Sequence, residues 1–406
     1  MIVQLSILIY TQTNCGLRTV VNILEIISKC FGGKLGTVPC YNTVENWMKK
    51  LGLSVYEEDR KAKCCQEYAM VIDESIMINK EKLFLLLGIP AEHQGHPVNH
   101  GDVTILHMEV GAQFVGDDIC KTIQKVSANV GNRPEYIVSD QGHNLVNGIG
   151  KSGIPAVSDI SHAMGNIVKR RYGRSDDFKG LTTLLGNIRL QYHLTDKAFL
   201  LPPNMRSICR FMNMASWVEW AQKMISVYDT LSQELKDAYA CLLDYKKLIE
   251  ELAVAIDAVK HVEEKCKNEG FNLKTHSECR RYIIKHVIGN ANSRRAALGI
   301  DILDYLDQQK ALLTDESKNL NISSDIIESN FGIFKMKMSP NKLYGITPFV
   351  LFLPLYAKFK NENAAKTFNF KERLVNVKLR DIDDYASEHM STNWVTERTK
   401  ILHRIA

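Results

Sequence analysis

The chain has 406 residues, of which 45% are hydrophobic and 24% charged, and its formal net charge at pH 7 is +5. These values allow two or three globular domains, and the charge is too small to establish a nucleic-acid partner by itself. Ten scattered cysteines form no C-x-x-C pair, which argues against a zinc ribbon or finger, and the apolar stretches at residues 2–10 and 345–357 are too short to span a bilayer. We therefore expect a cytoplasmic protein, nucleoid-associated if bacterial, with reduced thiols and no membrane partner.

The N-terminal region, from about residue 14 to residue 53, has the pattern of two helices. Apolar residues recur at helical spacing up to a glycine pair, and a second segment begins near Asn42 and ends at Gly52. Two helices joined by a glycine-containing turn are typical of a helix-turn-helix DNA reader. The polar residues that such a reader would present to DNA are Asn46, Lys49 and Lys50. A small helical packing or dimerisation domain explains the same pattern.

Charged residues 55–65 predict a linker, and a series of strands follows it. Alternating or continuous apolar runs, bounded by turn residues, predict an antiparallel hairpin and a third strand. An amphipathic helix, a short fourth strand ending at Asp140, another helix and a fifth strand come next. The predicted ranges are 68–78, 82–89, 103–114, 116–130, 136–139, 144–149 and 156–159. The order β-β-β-α-β-α-β is that of a ribonuclease H-like mixed sheet with helices on its faces.

From residue 162 to about residue 320 the strand signals stop and helical patterns replace them. The clearest helix runs from Tyr245 to Val259, with apolar residues at alternating spacings of four and three and charged residues on the other face. Further helices are predicted over 208–228, 277–288, 294–313, 323–338 and 347–359. The last forty or so residues are charged and weakly patterned, which predicts an extended tail or a partner-facing arm.

Three acids have the pattern of a metal site. Asp73 lies within an apolar strand, where an unpaired carboxylate is costly, and Asp140 directly follows the fourth strand. In a ribonuclease H-like sheet the first and fourth strands are neighbours, so these carboxylates would repel each other unless divalent cations bridge them. Glu328, on a late helix, would complete the set. Oxygen ligands without thiolates favour Mg²⁺ or Mn²⁺, and a two-metal clamp suits phosphodiester displacement.

Glu328 is the preferred third acid because its neighbours Ile326, Ile327 and Phe331 would hold it near the core. The competing acids are Glu74, Glu316 and Asp325. Lys335 lies seven residues after Glu328, two turns along the same helix face. A carboxylate and an ammonium group could therefore approach one DNA backbone together.

These segments resemble those of DDE-type transposases that carry an all-helical insertion in a ribonuclease H-like catalytic domain. VIDES supplies the first acid, IVSDQG the second and IIESNFGIFK the third. The sequence DISH, from Asp159 to His162, is similar to the [CD]-x-x-H motif that opens the insertion in hAT-like and related elements. The spacing from glutamate to lysine also resembles the end of a signature in related bacterial insertion-sequence transposases, whose tyrosine and arginine are absent here. Asn321 and Ser324 stand in their places.

The resemblance spans about residues 67–360 and implies DNA transposition. It implies Mg²⁺-dependent cleavage at the ends of the element, followed by attack of the freed 3′-hydroxyl on target DNA. The implied partners are double-stranded DNA, as element ends and target, and further copies of the chain in a homodimer or larger assembly. Two alternatives stay open: a ribonuclease H-like nuclease that only cleaves, and a transposase-derived DNA-binding protein without catalysis. The domains expected are a helical DNA-binding domain with its linker (1–62), a ribonuclease H-like core in two parts (63–161 and 323–360), an all-helical insertion (162–322) and a C-terminal tail (361–406).

Several other residues are candidates for DNA contact. His162 could contact the scissile phosphate or organise the insertion. Trp217 and Trp220 could stack on a flipped base, although core packing is the expected role for at least one of them. Arg170 and Arg171 belong to a basic cluster that could bind phosphate. A group of three histidines gives only a weak zinc signal, because no thiolate accompanies it. These are His93, His96 and His100.

Overall fold

One five-stranded mixed sheet organises the first of two units into which the chain divides. The structure is a computed structural model, and it describes residues 1–61, 67–78, 81–203, 211, 214–289, 292–338, 345–359, 364–391 and 394–405. The first unit comprises residues 1–94, 98–157 and 324–406, and the second comprises residues 95–97 and 158–323. Among the described helices, none is both long and apolar enough to cross a lipid bilayer.

The sheet confirms the predicted strands. They are β1 (Tyr68–Ile78), β2 (Glu81–Pro90), β3 (Thr104–Gly111), β4 (Ile137–Ser139) and β5 (Ala156–Ser158). Their order across the sheet is β3-β2-β1-β4-β5. β1 pairs antiparallel with β2, and β2 antiparallel with β3, whereas β1 pairs parallel with β4. The predicted β1–β2 hairpin is therefore confirmed, although residues 79 and 80 of its turn lie outside the described residues.

Helices make up most of the remaining described chain. Those before the second unit are α1 (Ile2–Gln12), α2 (Leu17–Cys30), α3 (Tyr41–Lys61), α4 (Gly116–Val130) and α5 (His143–Ser152). The second unit contains α6 (Ile160–Tyr172), α7 (Asp176–Tyr192), α8 (Met214–Val227), α9 (Gln233–Tyr239), α10 (Cys241–Asp244), α11 (Lys246–Glu269), α12 (Leu273–Ile283) and α13 (Ser293–Lys310). The chain then returns to the first unit with α14 (Asp325–Lys337), α15 (Leu353–Phe359), α16 (Ala364–Thr367), α17 (Phe370–Asn376), α18 (Leu379–His389) and α19 (Trp394–Ile405).

The sheet is buried on both faces. Met70 and Ile72 of β1 pack with residues of α4 and α5 in one apolar core. Ala69 and Val71, which alternate with them, are also fully buried, so the opposite face is covered as well. Helices α3 and α15 contact β3, and α14 contacts β1. Helices α1, α2, α3 and α15 share a second apolar core, so the N-terminal helices pack on the same unit as the sheet.

Helix α3 continues well beyond its predicted end. It passes through Gly52 and runs to Lys61, so both the predicted stop at Gly52 and the predicted linker from residue 55 are wrong as far as Lys61. Residues 62–66 lie outside the described residues. A Cβ atom at Gly52 would stand 1.8 Å from the carbonyl oxygen of Leu351, in the 3₁₀ turn Pro348–Phe352. Glycine is therefore needed here for close packing against that turn.

The predicted extended tail is also wrong for the described part of residues 361–406. This region forms α16 to α19. Ile382 and Tyr385 of α18 are buried. The Tyr385 ring centroid lies 5.8 Å from that of Tyr56, edge to face, and the Tyr385 hydroxyl donates to the carbonyl oxygen of Met108 at 3.5 Å. Helix α18 is thus part of the folded first unit, since aromatic packing attaches it to α3 and β3.

The second unit is helical, which confirms the predicted change from strands to helices. Arg294 on α13 pairs with Asp177 of α7 at 2.9 Å and with Glu251 of α11 at 2.8 Å. Its hydrogen bonds lower the pKa of Asp177 to about 2. The backbone N–H of Ile160 donates to the carbonyl oxygen of Ile322 at 3.0 Å. The unit therefore begins and ends at neighbouring positions.

Replacing Gly52 with alanine should destabilise the first unit. The added methyl group collides with backbone atoms of Leu351, so α3 or the 3₁₀ turn must move, and we expect the free energy of unfolding to fall by about 2–3 kcal/mol. Urea denaturation measures this change. Gly150→Ala, in α5, is the matched control, because no atom lies within 4 Å of its added Cβ. Equal stability of the two variants would contradict the packing described for α3.

The carboxyl group of Asp59, in α3, makes the free energy of unfolding depend on pH. Burial raises the pKa of Asp59 from 3.8 to about 7, against the opposing effect of Lys358. Between these values the unfolded chain ionises while the folded chain keeps its proton, so stability falls as pH rises from about 4 to 7. Asp59→Asn should therefore raise the free energy of unfolding by about 2–4 kcal/mol at pH 8, with little change near pH 4. Denaturation curves at both pH values test this, and an unchanged stability at pH 8 would refute it.

Candidate functional site

Parallel pairing brings two of the predicted acids to adjacent positions. In the register of β1 and β4, Val71 is opposite Val138 and Ile72 is opposite Ser139. The next residue on each strand is an acid, Asp73 on β1 and Asp140 just after β4. Neighbouring strands lie about 4.8 Å apart, so the two acids occupy adjacent backbone positions at the end of the parallel pair. This agrees with the arrangement that the sequence predicts for these two residues.

The backbone after β4 fixes the orientation of Asp140. One of its carboxylate oxygens, Oδ1, accepts a hydrogen bond from the backbone N–H of Gly142 at 2.8 Å. This is an Asx turn, a common way to leave a strand. A Cβ atom on Gly142 would lie 2.8 Å from the same oxygen, so glycine keeps this position clear for the carboxylate. The DQG sequence therefore holds Asp140 on a tight turn between β4 and α5.

Asp73 and its neighbour Glu74 differ in their surroundings. Asp73 is 8% exposed in the middle of the sheet, where β1 is hydrogen-bonded to β2 and β4. Glu74 is partly exposed and pairs with Lys82 of β2 at 2.9 Å. Asp73 directly follows the residue pair Ile72–Ser139 and is the more buried of the two, so it is the better candidate for a metal ligand or catalytic group.

The third acid is on the predicted helix but is more exposed than expected. Ile326, Ile327 and Phe331 are buried, and their helix α14 contacts β1, the strand that carries Asp73. Glu328 itself is exposed, so the expectation that these neighbours hold it near the core is wrong. Helical geometry explains this, because Glu328 is turned about 100° away from Ile327. Lys335 is also exposed, two turns further along α14.

The donor set of Asp73 and Asp140 suits a hard divalent cation, although the described residues form no three-ligand cluster. Carboxylate oxygens such as those of Asp73 and Asp140 are preferred ligands of Mg²⁺, which commonly binds through one or two carboxylates and completes its shell with water. Over the described ranges, no three His, Cys, Asp or Glu side chains are close enough together to hold a metal ion. The pair therefore fits such an ion, and Glu328 would have to move closer to join it.

Both ends of α14 are attached to other parts of the first unit. Near its C-terminal end, Lys337 donates to the carbonyl oxygen of Cys15 at 2.6 Å, and its ammonium group lies 4.4 Å from the Tyr10 ring centroid. Burial lowers the pKa of Lys337. Near the N-terminal end, the His100 ring nitrogen Nε2 is hydrogen-bonded to the Ser329 hydroxyl at 3.0 Å. The sequence did not reveal these contacts, because each joins residues more than 200 positions apart.

The predicted DNA-reading residues of the N-terminal helices lie on α3, and all three are partly buried rather than fully exposed. Lys49 pairs with Glu45 one turn earlier. Lys50 donates to the carbonyl oxygen of Leu374 at 2.6 Å, which attaches α3 to α17. These contacts of Lys49 and Lys50 favour the packing alternative for this region.

The basic residues predicted to bind phosphate are largely paired within the second unit. Arg171 forms a forked interaction with Asp301: its Nε donates to one carboxylate oxygen at 2.7 Å, and its Nη2 to the other at 2.5 Å. Asp301 is only 8% exposed. Arg170 is 62% exposed and stands 3.6 Å from the same carboxylate. The structure thus assigns Arg171 to helix–helix packing, whereas Arg170 keeps a group that faces solvent.

The tryptophans and His162 also make contacts inside the second unit. Trp217 is 1% exposed, which contradicts the prediction that it stacks on a base and confirms that at least one tryptophan belongs to the core. The indole N–H of Trp220 donates to the carbonyl oxygen of Leu200 at 3.1 Å. The ring of His162 is 2.9 Å from Asp159, which also accepts the backbone N–H of His162 as the N-cap of α6. The DISH motif therefore starts the first helix of the insertion.

No model of a known protein family matches the chain, and no curated protein sequence is significantly similar to it.

Arg171 and Arg170 offer a matched pair for testing the packing assignment. Arg171→Met leaves the buried Asp301 carboxylate without its forked partner and should lower the free energy of unfolding by about 3 kcal/mol. Arg170→Met removes a mostly exposed group and should change stability by less than about 0.5 kcal/mol. Chemical denaturation of both variants measures this difference. If the two variants are equally stable, the Arg171–Asp301 pair does not support the fold.

Proposed function

We propose that this protein is a DDE-type DNA transposase. It would cleave double-stranded DNA at the ends of a mobile element and join the freed 3′-hydroxyl to target DNA. The observation that carries the proposal is the register of β1 and β4, in which Asp73 and Asp140 follow the pair Ile72–Ser139 on adjacent strands. Helix α14, which bears Glu328, contacts β1 in the same unit.

The topology supports a ribonuclease H-like catalytic core. Three antiparallel strands are followed by a crossover through α4 to a strand that pairs parallel with β1, and the order is β3-β2-β1-β4-β5. A long helical block, α6 to α13, separates β5 from α14 along the chain. This is the arrangement expected for a ribonuclease H-like transposase with an all-helical insertion. Because many functions share one fold, the proposed function depends on the three acids and not on the fold alone.

Asp73 and Asp140 are the residues that would hold Mg²⁺ or Mn²⁺, with Glu328 as the third ligand. When bound, the metal would polarise the attacking and leaving oxygens of the phosphodiester. The protein contributes fixed positions: the sheet holds Asp73, and the turn to Gly142 orients Asp140. Glu328 is exposed, as a residue that must meet a DNA phosphate has to be. Catalytic groups often come together fully only when substrate binds.

DNA contact is proposed for exposed cations, among them Lys335 on α14, which lies seven residues after Glu328. The helix-turn-helix role of α2 and α3 stays a prediction. Two of the residues that it assigns to DNA contact, Lys49 and Lys50, already bind groups within the first unit. Pairing two element ends requires a homodimer or larger assembly. Such a protein would work in the cytoplasm, at the nucleoid in a bacterium.

The three acids can be tested together in a strand-transfer assay. Asp73→Asn, Asp140→Asn and Glu328→Gln should each reduce joining of element ends to target DNA at least about 100-fold, because each removes a negative oxygen that the metal requires. Binding to the ends should remain. Asp325→Asn, an exposed acid one turn earlier on α14, is the matched control and should keep full activity. Full activity in any triad variant would remove that residue from the site.

One observation favours a second function, a transposase-derived DNA-binding protein without catalysis. The described side chains contain no cluster of three potential metal ligands. Under this alternative, salt-sensitive binding to specific DNA occurs without cleavage at any Mg²⁺ concentration. Supplying pre-cleaved ends and target DNA also separates transposition from simple nuclease action, since a nuclease forms no joined product.

A further inference from the structure

His100 lies at a point where a short turn meets the helix that carries Glu328. It begins the 3₁₀ turn His100–Asp102, which connects β2 to β3. Its Nε2 atom and the Ser329 hydroxyl are 3.0 Å apart, a normal hydrogen-bond distance. Ser329 immediately follows Glu328 in the second turn of α14. A histidine far away in sequence is thus attached to the residue next to the third acid.

The turn that presents His100 is itself fixed by reciprocal hydrogen bonds. The side-chain oxygen of Asn99 accepts from the backbone N–H of Gly101 at 2.8 Å. The Asp102 carboxylate accepts from the backbone N–H of Asn99 at 2.9 Å. These two bonds restrain the backbone on both sides of His100. The imidazole is therefore held by a restrained turn, as a group that orients another residue must be.

The opposite end of α14 is attached by Lys337, which donates to the carbonyl oxygen of Cys15. Between the two attachments the helix contacts β1. The Lys337 bond limits movement of the last turn, but Glu328 lies near the first turn. At that end the hydrogen bond from His100 limits rotation and sliding of the helix, and both motions would move the Glu328 carboxylate relative to Asp73.

We propose that His100 is a positioning residue for Glu328 and acts through Ser329. This inference rests on the proposed function, because the position of Glu328 matters only if its carboxylate is the third metal ligand. Removing a residue that orients a metal ligand commonly lowers metal affinity or activity about 10–100-fold. His100 thus joins the three acids as a fourth residue of the proposed site, in a positioning role exerted through Ser329.

The test compares three histidine variants of the full chain. His100→Ala should raise the Mn²⁺ concentration at half-saturation about 10-fold, measured by electron paramagnetic resonance without DNA, and should lower kcat for strand transfer by a similar factor with unchanged KM for DNA. His100→Gln keeps a nitrogen able to bond the Ser329 hydroxyl and should restore most of both values. His96→Ala is the matched control, because this exposed ring is hydrogen-bonded to the adjacent Pro97 carbonyl in the same loop, and it should behave as wild type.

A double-mutant cycle with Ser329→Ala tests the route of the effect. If His100 acts through Ser329, the double variant loses no more than either single variant, whereas independent effects add. Hydrogen exchange at the amides of residues 327–331 gives a readout free of catalysis, and these amides should exchange faster in His100→Ala. Unchanged exchange in that variant overturns the positioning role. A wild-type protein that neither binds Mn²⁺ nor joins DNA overturns the proposed function instead, even if the exchange result holds.

Discussion

The parallel pairing of β1 with β4 is the contact on which the candidate site depends. Three consecutive residue pairs define the register, and the acids come one position later on each strand. A shift of one residue would turn Asp73 towards the opposite face, because side chains alternate along a strand. The buried positions around it, Met70 to Ile72, make such a shift costly, since each apolar side chain would leave its core. The same burial that stabilises the sheet therefore keeps the two acids at adjacent backbone positions.

The third acid, Glu328, lies on a helix, so strand pairing does not determine its position. Helix α14 follows a long helical block, and its position depends on contacts made by its ends and its buried face. Lys337 and Ser329 provide the end contacts, whereas Ile327 and Phe331 provide the buried face. Glu328 is on the exposed side of this helix. The sheet thus positions two of the acids. The position of the third depends on the contacts that attach α14 to the rest of the first unit.

Much of the first unit could be predicted from sequence, because patterns of neighbouring residues determine its strands and helices. The apolar run in Tyr68–Ile78 and the helical spacing in Gly116–Val130 are local properties, and both predict the ends that the structure shows. The failures concern residues whose role depends on distant partners. Gly52 resembled a helix stop but permits close packing against Leu351, and Arg171 resembled a phosphate ligand but pairs with Asp301. No local pattern distinguishes these alternatives, since the deciding atoms lie 130 or more residues away.

The hydrogen bond between Ile160 and Ile322 has a consequence for how this chain can change over evolution. When the two ends of an inserted segment already meet, lengthening the segment costs little loop-closure entropy, about 0.6 kcal/mol for each doubling. Changes in length between these two residues should therefore have little effect on the strand register before them or on the helix after them, and little effect on the stability of the sheet.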